Sequence, residues 1–191
     1  NRGAFCFGEP ARLTYADMAA EVDRMAAALI RAGLTKDDVL MVQLPNISEF
    51  VILYFAAASL GIIVSPVAVQ YRSHELSAMM GIVRPKGFVC ATHMHHQDHI
   101  GIVTPLLGDA VHLFTVGPDA PTHAIDLSAA APDAEALSAY RAATSVNADD
   151  IFSICWTSGT TGMPKGVPRS HNHWVGIAPA TYETAHLSDG E

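Results

Sequence analysis

The chain has 191 residues, half of them hydrophobic and 16% charged, with a formal net charge of −8. That composition excludes a disordered chain, and the length suffices for one domain, or a large piece of one, with a true core. The 11 basic residues are scattered singly, which argues against nucleic acid as a partner.

The longest apolar run, residues 50–60, is too short to cross a bilayer, so no integral membrane segment is expected. Cys6, Cys90 and Cys155 are odd in number, far apart and in no metal-like spacing. They read as buried thiols of a reducing, cytoplasmic setting. No signal peptide is visible. The missing initiator Met and the ending Ser188-Asp189-Gly190-Glu191 suggest an excised fragment.

In chain order, Tyr15, Met18, Ala19, Val22, Met25, Ala26, Leu29 and Ile30 recur at helical spacing and predict a helix over 14–32. Thr14 and Asp17 have the spacing of a capping box, and Gly33 can close the helix. Residues 39–44 form an apolar strand broken by Pro45-Asn46. Asn46, with Glu49 three positions on, starts a second helix running to about Leu60. It is apolar nearly all round and should be buried. Gly61 ends it, and residues 62–64 are a short strand before Pro66. Strand, helix, strand predicts a right-handed crossover and parallel pairing. Residues 73–83 form a third helix with Leu76, Met79, Met80 and Val83 inward, stopped by Arg84-Pro85. Arg72 stands before it, either as a surface charge at a helix start or with a role toward substrate. Residues 87–91 are the next strand.

The stretch Thr92-His93-Met94-His95-His96-Gln97-Asp98-His99 resembles the H-x-H-x-D-H signature of metallo-β-lactamase-type hydrolases. One residue too many separates His95 from Asp98-His99, and Gln97 stands where Asp belongs. Zinc tolerates little error in ligand distance. The stretch therefore reads as a solvated, His-rich helix start, and no metal site is assigned. The helix continues over 100–107, Gly108 stops it, and 111–116 is a strand. Residues 117–150 carry Pro118, Pro121 and Pro132, many alanines and six acids. They read as a surface connection with one weak helix over about 133–143.

Residues 151–156 are a strand and 167–170 a second one. Between them lies Thr157-Ser158-Gly159-Thr160-Thr161-Gly162-Met163-Pro164-Lys165-Gly166, with three glycines, four side-chain hydroxyls, one lysine and no acid. Glycines let backbone N–H groups converge on an anion, and the hydroxyls and Lys165 add donors. A polyphosphate fits that chemistry. The spacing fails the G-x-x-x-x-G-K-[ST] pattern, and Pro164 holds Met163 out of the helical region. The loop therefore joins two extended segments and has no helix dipole behind it. A helix over about 172–186 follows.

The loop resembles the phosphate-binding signature of the adenylate-forming superfamily, which includes acyl-CoA synthetases, aryl-acid ligases, peptide-synthetase adenylation domains and luciferases. Leu13-Thr14-Tyr15-Ala16-Asp17-Met18 resembles that family's opening signature. The stretch from Leu60-Gly61 to Pro66, with Tyr71-Arg72 and Glu75-Leu76, is similar to a segment of acyl-CoA synthetases. Ser170-His171-Asn172 resembles the family's continuation, with Asn172 shifted.

The resemblance implies an α/β fold, a mostly parallel sheet with helices on both faces. Residues 1–191 would be a single N-terminal subdomain of an AMP-binding domain, with the phosphate loop at 157–166 and no C-terminal catalytic lid. The whole protein would activate a carboxylic acid with ATP and Mg²⁺ and pass the acyl group to a thiol, with coenzyme A the expected acceptor, as in fatty-acid metabolism. Thr157, Ser158, Gly159, Thr160, Thr161, Gly162, Lys165 and Gly166 would hold the ATP phosphates, with Lys165 catalytic. The family's Mg²⁺, ribose and lid motifs do not occur in these residues, so the piece alone should be inactive. The alternatives are a phosphate-binding module without chemistry and, behind it, a metallohydrolase built on His93–His99.

Overall fold

A computed structural model describes residues 13–94, 97–157 and 164–184. Among them a seven-stranded sheet runs in the order β5-β4-β3-β1-β2-β6-β7. The strands are β1 (Val39–Gln43), β2 (Ile63–Pro66), β3 (Gly87–Ala91), β4 (His112–Val116), β5 (Ile125–Asp126), β6 (Ile151–Thr157) and β7 (Lys165–Ser170). Every neighbouring pair is parallel except β6–β7. The first five strands have one of the two common doubly wound orders, and the β6–β7 hairpin is added beside β2.

Alternation along the strands sends side chains into two cores. Leu40 and Val42 of β1 and Val89 and Ala91 of β3 face α1 (Tyr15–Arg31), α2 (Ser48–Leu60) and α5 (Ala134–Ala143). Met41, Phe88 and Cys90 face α3 (Ser73–Val83) and α4 (His99–Val103) on the other side. The sheet is thus covered by helices on both faces, as parallel sheets require. Burial pushes the Cys90 thiol up to about 12, so it is an inert core side chain.

Local sequence explains most helix ends. The Thr14 hydroxyl accepts from the Asp17 N–H, and the Asp17 carboxylate accepts from the Thr14 N–H at 2.9 Å. At the other end Gly33, at φ 84°, donates to Ile30 and Leu34 donates to Leu29, a closed Schellman ending. Helix α3 has the expected bounds, and Arg84 ends it in a left-handed conformation at φ 46°.

Four expectations need correction. Helix α2 starts at Ser48, because Ile47 donates back to Pro45 and Asn46 remains an exposed turn residue without a capping bond. It is also not buried all round, since Val51 and Phe55 point outward at 43% and 53% exposure. The fourth helix is shorter than expected, with a 3₁₀ turn over Thr104–Leu106 completing the segment. Residues 117–150 are more than a surface connection. They add β5 to the sheet edge and bury Leu127 and Leu137. Arg24 donates to the carbonyls of Leu127 and Ala130, and the Tyr140 hydroxyl donates to Leu60 O at 2.9 Å.

Candidate phosphate site

In a parallel sheet, ligands collect beyond the carboxyl ends of the strands. Two polar groups of residues lie at that edge. The first is the mouth of the β6–β7 hairpin. Thr157 ends β6 and Lys165 opens β7, and the two are directly paired across the ladder. Both are exposed. Lys165 and Gly166 are therefore strand residues, whereas the sequence reading kept them in the loop. The ladder reaches Gly166 because it has no Cβ. One built there would stand 2.8 Å from Ile154 Cγ2 and 3.5 Å from the Trp156 ring. Ser158, Gly159, Thr160, Thr161 and Gly162 lie outside the described residues.

Behind the hairpin runs α6 (His171–Thr184), opened by the Ser170 hydroxyl accepting from the His173 N–H at 3.2 Å. It begins one residue before the expected start. Trp174 Nε1 donates to the Ser153 hydroxyl at 2.8 Å, and Asn172 donates to the Asp149 carboxylate at 2.7 Å. His171 stacks on Phe152 with ring centroids 4.8 Å apart. Arg169, on β7, contacts His173. Among the described residues neither Lys165 nor Arg169 is in an ion pair.

The second group lies where the strand order reverses, at the ends of β1 and β3. Gln43 is fully buried, and its amide nitrogen donates to the carbonyls of Ala68 and Tyr71 at 3.0 and 3.1 Å. Its oxygen lies 3.2 Å from His99 Nδ1. An amide oxygen only accepts, so Nδ1 carries the proton. Desolvation holds the His99 pKa below its ordinary value, and the nearby Arg72 charge adds to that, while Asp98 opposes it. His99 is therefore a buried neutral side chain, not the solvated one the sequence suggested. His93 is exposed, and Asp98 caps α4 through the Gly101 N–H. His95 and His96 lie outside the described residues, among which no group of three or more His, Cys, Asp or Glu could hold a metal. Arg72 donates to the carbonyls of Val69, Gln70 and Tyr71, tying the turn before α3. With Met94, Gln97 and His99 it lines a cleft of about 150 Å³.

A larger cavity of about 520 Å³, lined by Ser77, Met80, Arg84, Lys86 and Leu106 among others, opens near the amino ends of β3 and β4. That is the edge of the sheet opposite the hairpin mouth. The sequence reading missed two residues that shape the hairpin mouth, Trp156 and Ser65. Trp156 Nε1 donates to the Ser65 hydroxyl at 2.9 Å.

A mostly parallel, doubly wound sheet with an antiparallel hairpin added at one side defines the α/β class of this protein. The sequence profile of the family described as AMP-binding enzyme matches residues 1–188, and the chain belongs to that family. It is 29% identical over 171 residues to 2-hydroxy-7-methoxy-5-methyl-1-naphthoate–CoA ligase of Streptomyces carzinostaticus, covering 85% of this chain and 31% of that protein. It is 30% identical over 160 residues to the long-chain-fatty-acid–CoA ligase FadD13 of Mycobacterium tuberculosis, covering 84% and 30%. In structure it is similar to the anthranilate CoA ligase AuaEII, solved with anthranoyl-AMP, at a TM-score of 0.76 and 18% identity over 94% of this chain and 33% of that one. At that identity the likeness shows the fold alone. The chain spans about a third of the length of these relatives.

Proposed function

We propose that this chain is the phosphate-holding part of an ATP-dependent acid–thiol ligase, an acyl-CoA synthetase of the AMP-forming kind. The observation that carries the reading is the pairing of Thr157 with Lys165 at the carboxyl edge of the sheet. The two residues, one bearing a hydroxyl and one an ammonium, are opposite each other across the ladder, on either side of a stretch rich in glycines and hydroxyls. In the proposed reaction a carboxylate oxygen attacks the α-phosphorus of ATP, and the bond to the β-phosphate bridging oxygen breaks. The products are acyl-adenylate and pyrophosphate. A thiol, coenzyme A in this reading, then attacks the acyl carbon and expels AMP.

This chain's part is electrostatic. Lys165 faces charge that grows on the departing pyrophosphate, and a preformed cation stabilises that charge without reorganising. Thr157, Ser158, Thr160 and Thr161 supply hydroxyls, and Gly159, Gly162 and Gly166 supply backbone approach. Mg²⁺ is expected with ATP, but the described donors at the hairpin mouth are hydroxyl and ammonium, and magnesium takes carboxylate oxygens. Asp150 is held at the opposite end of β6 by Lys36 at 2.6 Å. By their names, the relatives given above act on an aryl acid and on long-chain fatty acids.

The test is acid-dependent exchange of pyrophosphate into ATP by the protein carrying this chain, over a panel of fatty and aryl acids. Exchange is expected with at least one acid, and Lys165→Ala should slow it about 10²-fold while leaving the KM for the acid nearly unchanged. Absence of exchange across the panel would sink the reading and favour a phosphate-binding module without chemistry.

A further inference from the structure

The β6–β7 hairpin meets the parallel sheet through a short hydrogen-bond ladder. β2 and β6 share one register pair, Val64 with Ser153, yet β6 runs on for four residues to Thr157. The cause lies in β2. Alternate residues of a strand present N–H groups to alternate edges. Ile63 and Val67 donate to Asp38 and Val42, on the β1 side. Val64 and Pro66 must therefore face β6, and Pro66 has no N–H to give. The ladder loses its donor just below the hairpin mouth.

A side-chain bond stands where that ladder bond is missing. Ser65 is fully buried on the face it shares with Met41, and its hydroxyl receives the Trp156 indole N–H. The far edge of the same indole lies 3.5 Å from where a Cβ on Gly166 would be. Trp156 and Gly166 are paired across the ladder, next to Thr157 and Lys165. One rigid ring thus reaches from β2 across β6 to the start of β7.

From this geometry we infer that Trp156 and Ser65 form a latch that fixes the position of Lys165 and Thr157 relative to the parallel sheet. They are positioning residues for the reaction proposed above, and the inference rests on that reading. An error of about 1 Å at a reacting centre can cost up to ~10²-fold in rate, so a loosened latch should reduce turnover more than it reduces binding.

The experiment separates positioning from stability. Ser65→Ala leaves the indole N–H unpaired, and Trp156→Phe leaves a buried hydroxyl unpaired, so each should lower Tm. The double variant removes both polar partners, and such pairs are often nearly neutral together. Its Tm should recover toward that of the parent. Its kcat for pyrophosphate exchange should stay down by roughly tenfold, with the KM for the acid unchanged. Recovery of kcat along with Tm would overturn the latch. If the parent protein shows no exchange with any acid, the functional reading fails by itself. Amide hydrogen exchange then decides the latch: faster exchange over residues 165–167 in the double variant supports it, and unchanged exchange overturns it.

Discussion

The five parallel strands and the β6–β7–α6 unit are made from the same chain by opposite means. Every residue of β3 is buried, and none of β7 is. In the parallel part, apolar side chains such as Leu53, Phe88 and Phe114 are sealed from water on both faces. Position there follows from packing. In the hairpin unit, Trp174, Val175 and Ile177 are 43%, 68% and 43% exposed. Beside the packing of Phe152 and Trp156 against the two cores, position there follows from a few polar ties, namely Trp156 to Ser65, Trp174 to Ser153 and Asn172 to Asp149. The difference teaches why the proposed phosphate site is at the hairpin. Backbone and hydroxyl donors have to stay unpaired until a ligand arrives, and a packed core does not leave them so.

The contrast can be broken hardest from the packed side. Phe88→Ala should destabilise the protein by about 3–5 kcal/mol in denaturant unfolding, because the ring is wholly enclosed between sheet and helices. A loss below about 1 kcal/mol would mean that this face of the sheet is not close-packed. Gln43→Leu comes next. It strips the carbonyls of Ala68 and Tyr71 of their donor and leaves the His99 N–H unpaired. The expected cost is about 1–3 kcal/mol, and a neutral result would refute the buried network.

A pH series sharpens the same point. Because burial lowers the His99 pKa in the folded state, the unfolded chain binds more protons near pH 6. The stabilisation is present above the ordinary value of 6.5 and is lost as pH falls below it toward the folded value. Between pH 7 and 5 the parent should lose more stability than His99→Gln, and equal losses would assign the titration to another group. The smallest effect belongs to the hairpin side. Val175→Ala should change stability by no more than about 0.5 kcal/mol, and a larger loss would show that α6 is packed more firmly than its exposure indicates.

What the sequence made legible was local. Helix α3 could be read to the residue, because its inward side chains, its start at Ser73 and its Arg84-Pro85 stop lie within one short span. The hairpin strands were readable too, although β7 opens at Lys165, two residues earlier than expected. What stayed hidden depends on partners distant in the chain. His99 meets Gln43 across 56 residues, and no nearby residue marks it as buried. The two-residue β5 is too short to carry a strand pattern of its own and exists because β4 offers an edge. Trp156 reads as one more apolar strand residue until Ser65 is found beside it, 91 positions away in sequence.

That separation also bears on how the molecule assembles. Joining β6 to β2 closes a very long loop, whose entropic cost is met only when distant segments meet. Residues 117–150 shorten the search: α5 reaches Leu60 through Tyr140, and Lys36 holds Asp150 at the threshold of β6. The parallel strands have nearby partners and can form first, with the hairpin arriving on a splint they have already built. The β6–β7 hairpin is then the last part of the fold to be completed, and unfolding under mild stress should take it away first.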